Sequence, residues 1–363
     1  MAVGEIARTG GPSPVLRVPA PPALEWLELG RDDRTARFVS LNSDLSRAFD
    51  PFGDGKKIAS GHAYAGRGSA VAWASVCRDP LGGPPRQSVE SFAERWQGVR
   101  DAVPRQPCHF VSLGPGDGRK DGVLLADLSR TNGDLCYLPV DTSEDLLHLA
   151  VRGLIHRLGL PTDRVLSLPW DFSLKENISS LRRLLDELFG ATPVLFSLLG
   201  NAIAGFDADA DVLGLLATML RPGDRLLLEA EVTPSLMASL VPAAVQEYSR
   251  SPAFGEFATA SLRHHTDLCV DLADVELLGS IEDNRAIVVK TVYRAGDDLV
   301  VTLPNHSGVR FAFDDTIRLA LSRKYSPEGL ADMVDGAGLR IVEDVCTGTG
   351  GPFGLALLML EAA

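Results

Sequence analysis

Cysteine is scarce in this sequence, and its few copies are not spaced as a metal site or a disulfide framework requires. The five among 363 residues are odd in number and never form a CxxC pair: Cys77, Cys108, Cys136, Cys269 and Cys346. Structural zinc sites and disulfide-rich domains both need regularly spaced cysteines. We therefore predict reduced thiols and no metal.

Basic clusters and long apolar runs are also missing. The formal net charge is −13 and no stretch concentrates lysine and arginine, which argues against nucleic acid as a partner because phosphate binding needs a basic surface. No apolar run has the length that spans a bilayer, and the N-terminus lacks the basic-then-apolar order of a signal peptide. We expect a cytoplasmic protein with no membrane partner. The sequence leaves a monomer and a homodimer open.

The remaining composition is that of a folded protein. With 45% hydrophobic and 23% charged residues, the chain can form one large or two moderate domains. Residues 1–22 are rich in glycine and proline and have no apolar period, which predicts a flexible tail.

A glycine-rich stretch is the strongest local signal. His109 to Leu113 is typical of a buried strand, and glycines at 114, 116 and 118 follow it before a helix begins. Glycine lets the backbone approach a ligand closely, and the helix N-terminus adds partial positive charge. The stretch has only part of the dinucleotide fingerprint and no P-loop Lys-Ser/Thr pair, which favours a cofactor without a pyrophosphate.

Two acidic residues follow the next strands. Asp141 closes the run 135–140, where a carboxylate binds ribose hydroxyls in nucleotide sites, although it could instead be a turn residue opening the next helix. Asp171 and Phe172 follow a short strand at 165–168, and a carboxylate beside an aromatic ring suits adenine.

Small residues from Gly200 to Phe206 follow a fourth strand at 193–199, and residues 225–230 form a fifth. Alternating strands and helices predict a parallel, doubly wound α/β sheet whose ligand crevice lies at the strands' carboxyl ends.

After residue 236 the pattern changes to a helical stretch, Tyr248 to Leu262, and then to antiparallel strands at 275–278, 286–293, 299–303 and 309–313. A helix starting at Ser326 and an antiparallel pair, 339–345 and 353–360, end the chain.

Several of these segments together resemble a known family. The stretches 63–69, 113–120, 139–144, 171–172, 199–206, 220–224 and 324–328 resemble the histidine-specific, S-adenosylmethionine-dependent methyltransferases over about residues 56–363. The resemblance implies a Rossmann-like class I methyltransferase with a second α+β domain that contains an antiparallel sheet. It places the cofactor domain at 90–235 plus 326–363, and the acceptor domain at 23–89 plus 236–325.

The resemblance also implies site residues for S-adenosylmethionine and its product S-adenosylhomocysteine. Gly114, Gly116 and Lys120 would surround the methionine portion, Asp141 the ribose, and Asp171 and Phe172 the adenine. Gly200 would complete the cofactor site, and the tyrosines Tyr64 and Tyr248 would face cofactor and acceptor.

The acceptor side departs from the family pattern. Gly205 stands where the family has an asparagine that holds the histidine carboxylate, a tyrosine pair is replaced at 81–84, and Lys290 falls at or near the imidazole-binding glutamate. A site that loses its substrate's hydrogen-bond partners accepts a different substrate. Gly205, Phe206, Tyr248 and Lys290 would then line a pocket for an aromatic amino-acid derivative of specialised metabolism, such as an indole alkaloid or a tryptophan-containing cyclodipeptide.

Methyl transfer from a sulfonium depends mainly on alignment, and a base can take the acceptor's proton. Glu231 and His264 (or its neighbour His265) are candidate bases, and Tyr248 is a candidate positioning phenol. Glu231 could instead be a solvated turn residue, the histidines surface or core residues, and Tyr248, Tyr64 and Trp73 packing aromatics. Histidine Nα-methylation, a catalytically inactive cofactor-binding protein and a nicotinamide-dependent oxidoreductase remain alternatives.

Overall fold

The centre of the molecule is a parallel sheet. The computed structural model describes residues 42–49, 56–79, 83–104, 106–348 and 351–363. Hydrogen bonds join four strands in the order β2-β1-β3-β4, all parallel. They are β1 (His109–Leu113), β2 (Tyr137–Val140), β3 (Val194–Leu198) and β4 (Arg225–Val232). The predicted parallel α/β sheet is therefore confirmed.

Helices cover both faces of this sheet, because successive side chains of a strand point to opposite faces. Val111 and Leu113 enter one apolar cluster, while Phe110, just before Val111, enters another. The helices among the described residues are α1 (42–49), α2 (Arg67–Val76), α3 (Gly83–Val99), α4 (Arg119–Leu128), α5 (Glu144–Leu158), α6 (Lys175–Phe189), α7 (Asp209–Ala217), α8 (Val241–Ser249), α9 (Pro252–Ala258), α10 (Ala260–His265) and α11 (Pro327–Gly336).

The antiparallel strands extend the sheet past β4. They are β5 (Val275–Glu282), β6 (Ala286–Arg294) and β9 (Thr316–Tyr325), with β7 (Leu299–Thr302) and β8 (Gly308–Phe311) as a separate two-stranded sheet. The sequence did not predict β9, which lies antiparallel to β6 and meets β4 in parallel at one register pair, Val232 and Tyr325. The predicted domain limits stay a prediction.

At the carboxyl terminus, β10 (Leu339–Gly348) and β11 (Gly354–Ala362) form the predicted antiparallel pair. β11 also bonds antiparallel to β4 along most of its length. The strand β4 therefore has β11 beside most of its length and β9 at its carboxyl end, where Glu231 and Lys324 lie.

Two predicted elements differ in detail. Residues 165–168 are bonded to β2 through Leu166 and Leu168 amides (3.0 and 2.9 Å), but they form isolated bridges rather than a full strand. The predicted helix from Tyr248 to Leu262 is divided into three, because Ser251 caps a new helix and Pro252 occupies its first position. The predicted tail 1–22 and Leu81 and Gly82 lie outside the described residues.

Candidate active site

The turn after β1 has the backbone geometry that only glycine adopts cheaply. Gly114, Gly116 and Gly118 have φ of 70°, 59° and 73°. Gly118 is the N-cap of α4, and a Cβ there would lie 3.1 Å from Ala150 of α5. The turn therefore brings backbone N–H groups and a helix N-terminus to the carboxyl edge of the sheet.

A cavity of about 1110 Å³ opens at this edge. It runs along the carboxyl ends of β1 to β4 and reaches β9, with α2, α8 and α9 as its far wall. Pockets for one small ligand are usually about 300–1,000 Å³. The cavity is therefore large enough for two ligands side by side.

The predicted ribose and adenine residues lie at one end of the cavity. Asp141 follows β2, and its Oδ1 accepts a hydrogen bond from the Ser143 amide at 2.8 Å. Asp171 accepts from the amide and hydroxyl of Ser173 at 2.9 and 2.6 Å. Both carboxylates are thus fixed by turns that begin a helix and still face the cavity.

A buried ion network supports the glycine turn. The Glu229 carboxylate, which is fully buried in β4, accepts from Lys120, from Arg95 at 2.6 Å and from the Gly200 amide at 2.7 Å. Burial raises the pKa of Glu229, but the two cations outweigh it and hold that pKa below its usual value. The network joins the helix after β1 and the loop after β3 to the middle of β4.

A second network lies at the other end of the cavity. Lys324 of β9 donates to Glu231 and, at 2.7 Å, to Glu247. The Tyr248 hydroxyl donates to Glu231 at 3.3 Å and shares a 2.6 Å hydrogen bond with Ser322. Glu231 is only 2% exposed, so it is not a solvated turn residue.

Burial and charge determine the protonation of this network. Burial raises the pKa of Glu231 more than the neighbouring Lys324 ammonium lowers it, so that pKa is raised. Burial lowers the pKa of Lys324, but the surrounding carboxylates outweigh it, so that pKa is raised. Burial and the neighbouring Glu231 raise the pKa of Tyr248. Lys324 is therefore an ammonium and Tyr248 a neutral phenol at neutral pH.

Aromatic rings form the wall opposite the sheet. Tyr64, Trp73 and Phe257 are mutually packed, with ring centroids 4.9–5.4 Å apart. Tyr248 packs on Phe254 at 5.0 Å. All five rings line the cavity, and their planes are tilted by 51–71° within these pairs, which gives an apolar wall above the polar strand ends.

Residues 42–360 match the family model described as histidine-specific methyltransferase, SAM-dependent. The chain belongs to this methyltransferase family. It is an enzyme that uses S-adenosylmethionine, as the sequence predicted. No curated protein shows a significant sequence match to it.

Solved methyltransferase structures resemble this methyltransferase at low identity. CcbJ from Streptomyces caelestis is 15% identical, with 84% of this chain and 99% of that chain covered and a TM-score of 0.40. Magnesium protoporphyrin IX methyltransferase (ChlM) from Synechocystis PCC 6803, with bound SAH, is 11% identical, with 83% and 98% covered and a TM-score of 0.42. The glycopeptide N-methyltransferase MtfA, complexed with SAM, is 14% identical, with 79% and 99% covered and a TM-score of 0.37.

The residues present fit S-adenosylmethionine. Gly114 and Gly116 put no side chain between the turn and the cavity, and Trp73 Nε1 is buried beside Gly116 without a hydrogen-bond partner in the described part of the chain. Within the described ranges, no three or more His, Cys, Asp or Glu side chains gather as metal ligands, and no helix is long and apolar enough to cross a membrane.

Most predicted site residues of this methyltransferase line this cavity, and two do not. Those that do are Tyr64, Gly114, Gly116, Lys120, Asp141, Asp171, Phe172, Gly200, Gly205, Phe206, Glu231 and Tyr248. His264 lies outside it, packed against α2 so closely that a Cβ on Gly68 would be 2.4 Å from the ring. Lys290 is also outside, exposed on β6 between Leu278 and Leu321. These two positions correct the expectation that both face the acceptor.

Other residues of the site escaped the sequence analysis. Asn201 accepts from the Glu231 amide at 2.9 Å and donates to the Arg323 carbonyl at 3.1 Å, which ties β4 to β9. Ser322 and Glu247 line the acceptor end, and Glu229 supports the glycine turn. Only Glu229 had a sequence signal, since a carboxylate within the apolar run 226–230 requires a buried partner.

Proposed function

We propose that this methyltransferase transfers a methyl group to a nitrogen of an aromatic, amino-acid-derived acceptor that has no free carboxylate. Indole alkaloids and tryptophan-containing cyclodipeptides of specialised metabolism are acceptors of this kind. The cofactor half would comprise residues 90–235 and 326–363, and the acceptor half residues 23–89 and 236–325.

The strand order supports one orientation of the cofactor. Residues 165–168, β2, β1, β3, β4 and β9 follow one another across the sheet. Adenine near Asp171 and ribose near Asp141 therefore put the amino-acid end of the cofactor over Gly114, Gly116 and Gly200. The acceptor then lies over the ends of β4 and β9, beside Glu231 and Tyr248.

The charge of the cavity carries the argument about the acceptor. Ten of its lining residues are aspartate or glutamate, whereas Arg119 and Lys120 are the two lysine or arginine residues in the described lining. Arg119 pairs with Asp117 at 2.5 Å and Lys120 with Glu229, both beside the glycine turn. Lys324, behind the acceptor end, is already shared by Glu231 and Glu247. A substrate carboxylate there would therefore be buried without an unpaired lysine or arginine among the described lining residues, which is costly.

The loop after β3 supports the same conclusion. Gly205 lines the cavity without a side chain, and its neighbour Phe206 packs edge-on to Phe172 with ring centroids 6.0 Å apart. The nearby amide of Asn201 is engaged by β4 and β9. An amide donor for a substrate carboxylate is therefore lacking at this described loop, and Gly205 leaves room for a bulkier, flatter acceptor.

The chain's own groups provide alignment and a proton acceptor. S-adenosylmethionine supplies an electrophilic methyl group on a sulfonium sulfur. The aromatic wall would pack against the acceptor ring, and Tyr248, fixed by Ser322, would orient its nitrogen. Glu231, whose raised pKa suits a base, would accept the nitrogen's proton while Lys324 holds the carboxylate in place.

Matched acceptor pairs test the proposal by mass spectrometry of reactions with S-adenosylmethionine. Tryptamine and tryptophan, and histamine and histidine, differ in the carboxylate alone, and tryptophan cyclodipeptides complete the panel. We expect methylation of amines or cyclodipeptides and none of the amino acids. Methylation of histidine or tryptophan but not of their amines would overturn the proposal. Binding of S-adenosylhomocysteine with no turnover across the panel would favour an inactive cofactor-binding protein.

The family description favours a second candidate, histidine itself. Its carboxylate would have to lie among the acidic residues of the cavity, so the same panel distinguishes the two candidates.

A further inference from the structure

A tryptophan on the far wall of the cavity presents a hydrogen-bond donor that the protein does not use. Trp73 is on α2, and its Nε1 is inaccessible to solvent with no hydrogen-bond partner among the described residues. A Cβ built on Gly116 would lie 3.3 Å from that nitrogen. The indole N–H is therefore next to the bend of the glycine turn.

The ring cannot easily turn to find another partner. Tyr64 and Phe257 pack on it with ring centroids 5.4 and 4.9 Å away. A buried donor without an acceptor is destabilising, and folded proteins rarely leave one unless a ligand or water completes it. Indole is a donor only, so the missing group is an acceptor.

The two cationic side chains at this end already have partners. Lys120 donates to Glu229, and Arg119 donates to Asp117 and, at 2.8 Å, to the Cys77 carbonyl. The amino-acid end of S-adenosylmethionine has a carboxylate that needs donors when it enters a cavity. Lys120 keeps N–H groups beyond the one given to Glu229, and the Trp73 N–H beside Gly116 is a further side-chain donor, one that has no acceptor among the described residues.

We infer that the Trp73 indole N–H hydrogen-bonds the carboxylate of S-adenosylmethionine and so fixes the amino-acid end of the cofactor against the glycine turn. The inference uses the cofactor orientation proposed above, and it does not depend on which acceptor is methylated. It assigns to Trp73 a cofactor-binding role beyond the packing of its ring.

Calorimetric titration with two ligands tests the inference. S-adenosylhomocysteine has the carboxylate, whereas 5′-methylthioadenosine has the same adenosine and thioether but no amino-acid end. Trp73→Phe keeps an aromatic ring and removes the N–H. We expect the affinity for S-adenosylhomocysteine to fall at least about tenfold, because the lost hydrogen bond is to a charged group, and that for 5′-methylthioadenosine to change less than about twofold.

A matched control is Trp96→Phe, which removes an N–H that donates to Asp127 at 3.0 Å, away from the cavity. We expect it to leave the ratio of the two affinities unchanged. Equal loss of both ligands in Trp73→Phe, or no loss of either, would overturn the inference.

The unaltered protein gives a second measurement that does not depend on any variant folding. In ¹⁵N-labelled protein, we expect one indole N–H resonance to move downfield with S-adenosylhomocysteine and to stay in place with 5′-methylthioadenosine. If every indole resonance responds alike to the two ligands, the hydrogen bond does not form. Neither readout involves an acceptor, so the outcome is independent of the acceptor panel.

Discussion

Replacing Glu229 by glutamine would test whether the glycine turn depends on the buried charge network. The carboxylate is 0% exposed and accepts from Arg95, Lys120 and the Gly200 amide. Glutamine has nearly the same shape, but it removes the negative charge and turns an NH₂ donor toward two cations. Leaving buried charges uncompensated typically costs about 3–5 kcal/mol.

We therefore expect Glu229→Gln to lower the free energy of unfolding in urea by about 3–5 kcal/mol. Affinity for S-adenosylhomocysteine should fall as well, because Gly200 lines the cavity and its amide loses the charged acceptor that holds it in place. Glu276→Gln is the matched control: it removes an exposed pair with Arg294 (2.9 Å) and should cost far less. A loss in Glu229→Gln no larger than that of the control would refute the argument.

The network also predicts a pH dependence with a definite sign. The pKa of Glu229 is lowered below its ordinary value of 4.5, so its contribution to stability is present above pH 4.5 and lost as pH falls through the lower, folded-state pKa. Glu229→Gln should remove this part of the acid destabilisation. Urea midpoints measured from pH 3 to 7 on both proteins would show it.

Three further predictions follow from other groups. Burial raises the pKa of Asp121 from 3.8 to about 6 against its hydrogen bond with Tyr137, so stability should fall by about 3 kcal/mol as pH rises from 4 to above 6. Asp121→Asn should flatten that part of the urea-midpoint profile, and an unchanged profile would contradict the assignment. Glu231→Gln should lower kcat about 10²–10⁴-fold with S-adenosylhomocysteine affinity nearly unchanged, as steady-state rates and calorimetry would show; full activity would exclude it as the base. His264→Ala and Lys290→Ala should keep kcat/KM within about twofold, since neither side chain lines the cavity, and a large loss in either would show that it reaches the acceptor.

The cofactor end of the site could be predicted because its signals are local. Three glycines after an apolar strand, and Asp141 after the next, are each explained by neighbours in the chain, and the structure puts them on one edge. The acceptor end could not, because its polar groups are buried by partners far away in sequence. Strand β9 was missed for that reason: Arg323 and Lys324 look solvent-exposed in the sequence but are paired with Glu282 and Glu231.

Lys290 and His264 were predicted to belong to the site, but neither side chain lines the cavity. Lys290 was placed at the acceptor by resemblance, but it is the exposed residue of a strand whose other residues are buried or half-buried. His264 has a chemically suitable side chain, but its ring packs on Gly68, 196 residues earlier in the chain. Candidate chemistry in a sequence does not fix the direction of a side chain when the contact that turns it is remote.

The acidic lining of the cavity has a consequence for turnover. S-adenosylmethionine has a net positive charge, and the thioether that remains after transfer has none. Carboxylates around the cavity therefore attract the methyl donor more strongly than the spent cofactor, which favours exchange of one for the other after each cycle. Because salt screens such attraction, added salt should weaken the binding of S-adenosylmethionine more than the binding of S-adenosylhomocysteine. Product inhibition by S-adenosylhomocysteine should therefore be weaker at low ionic strength than at high ionic strength.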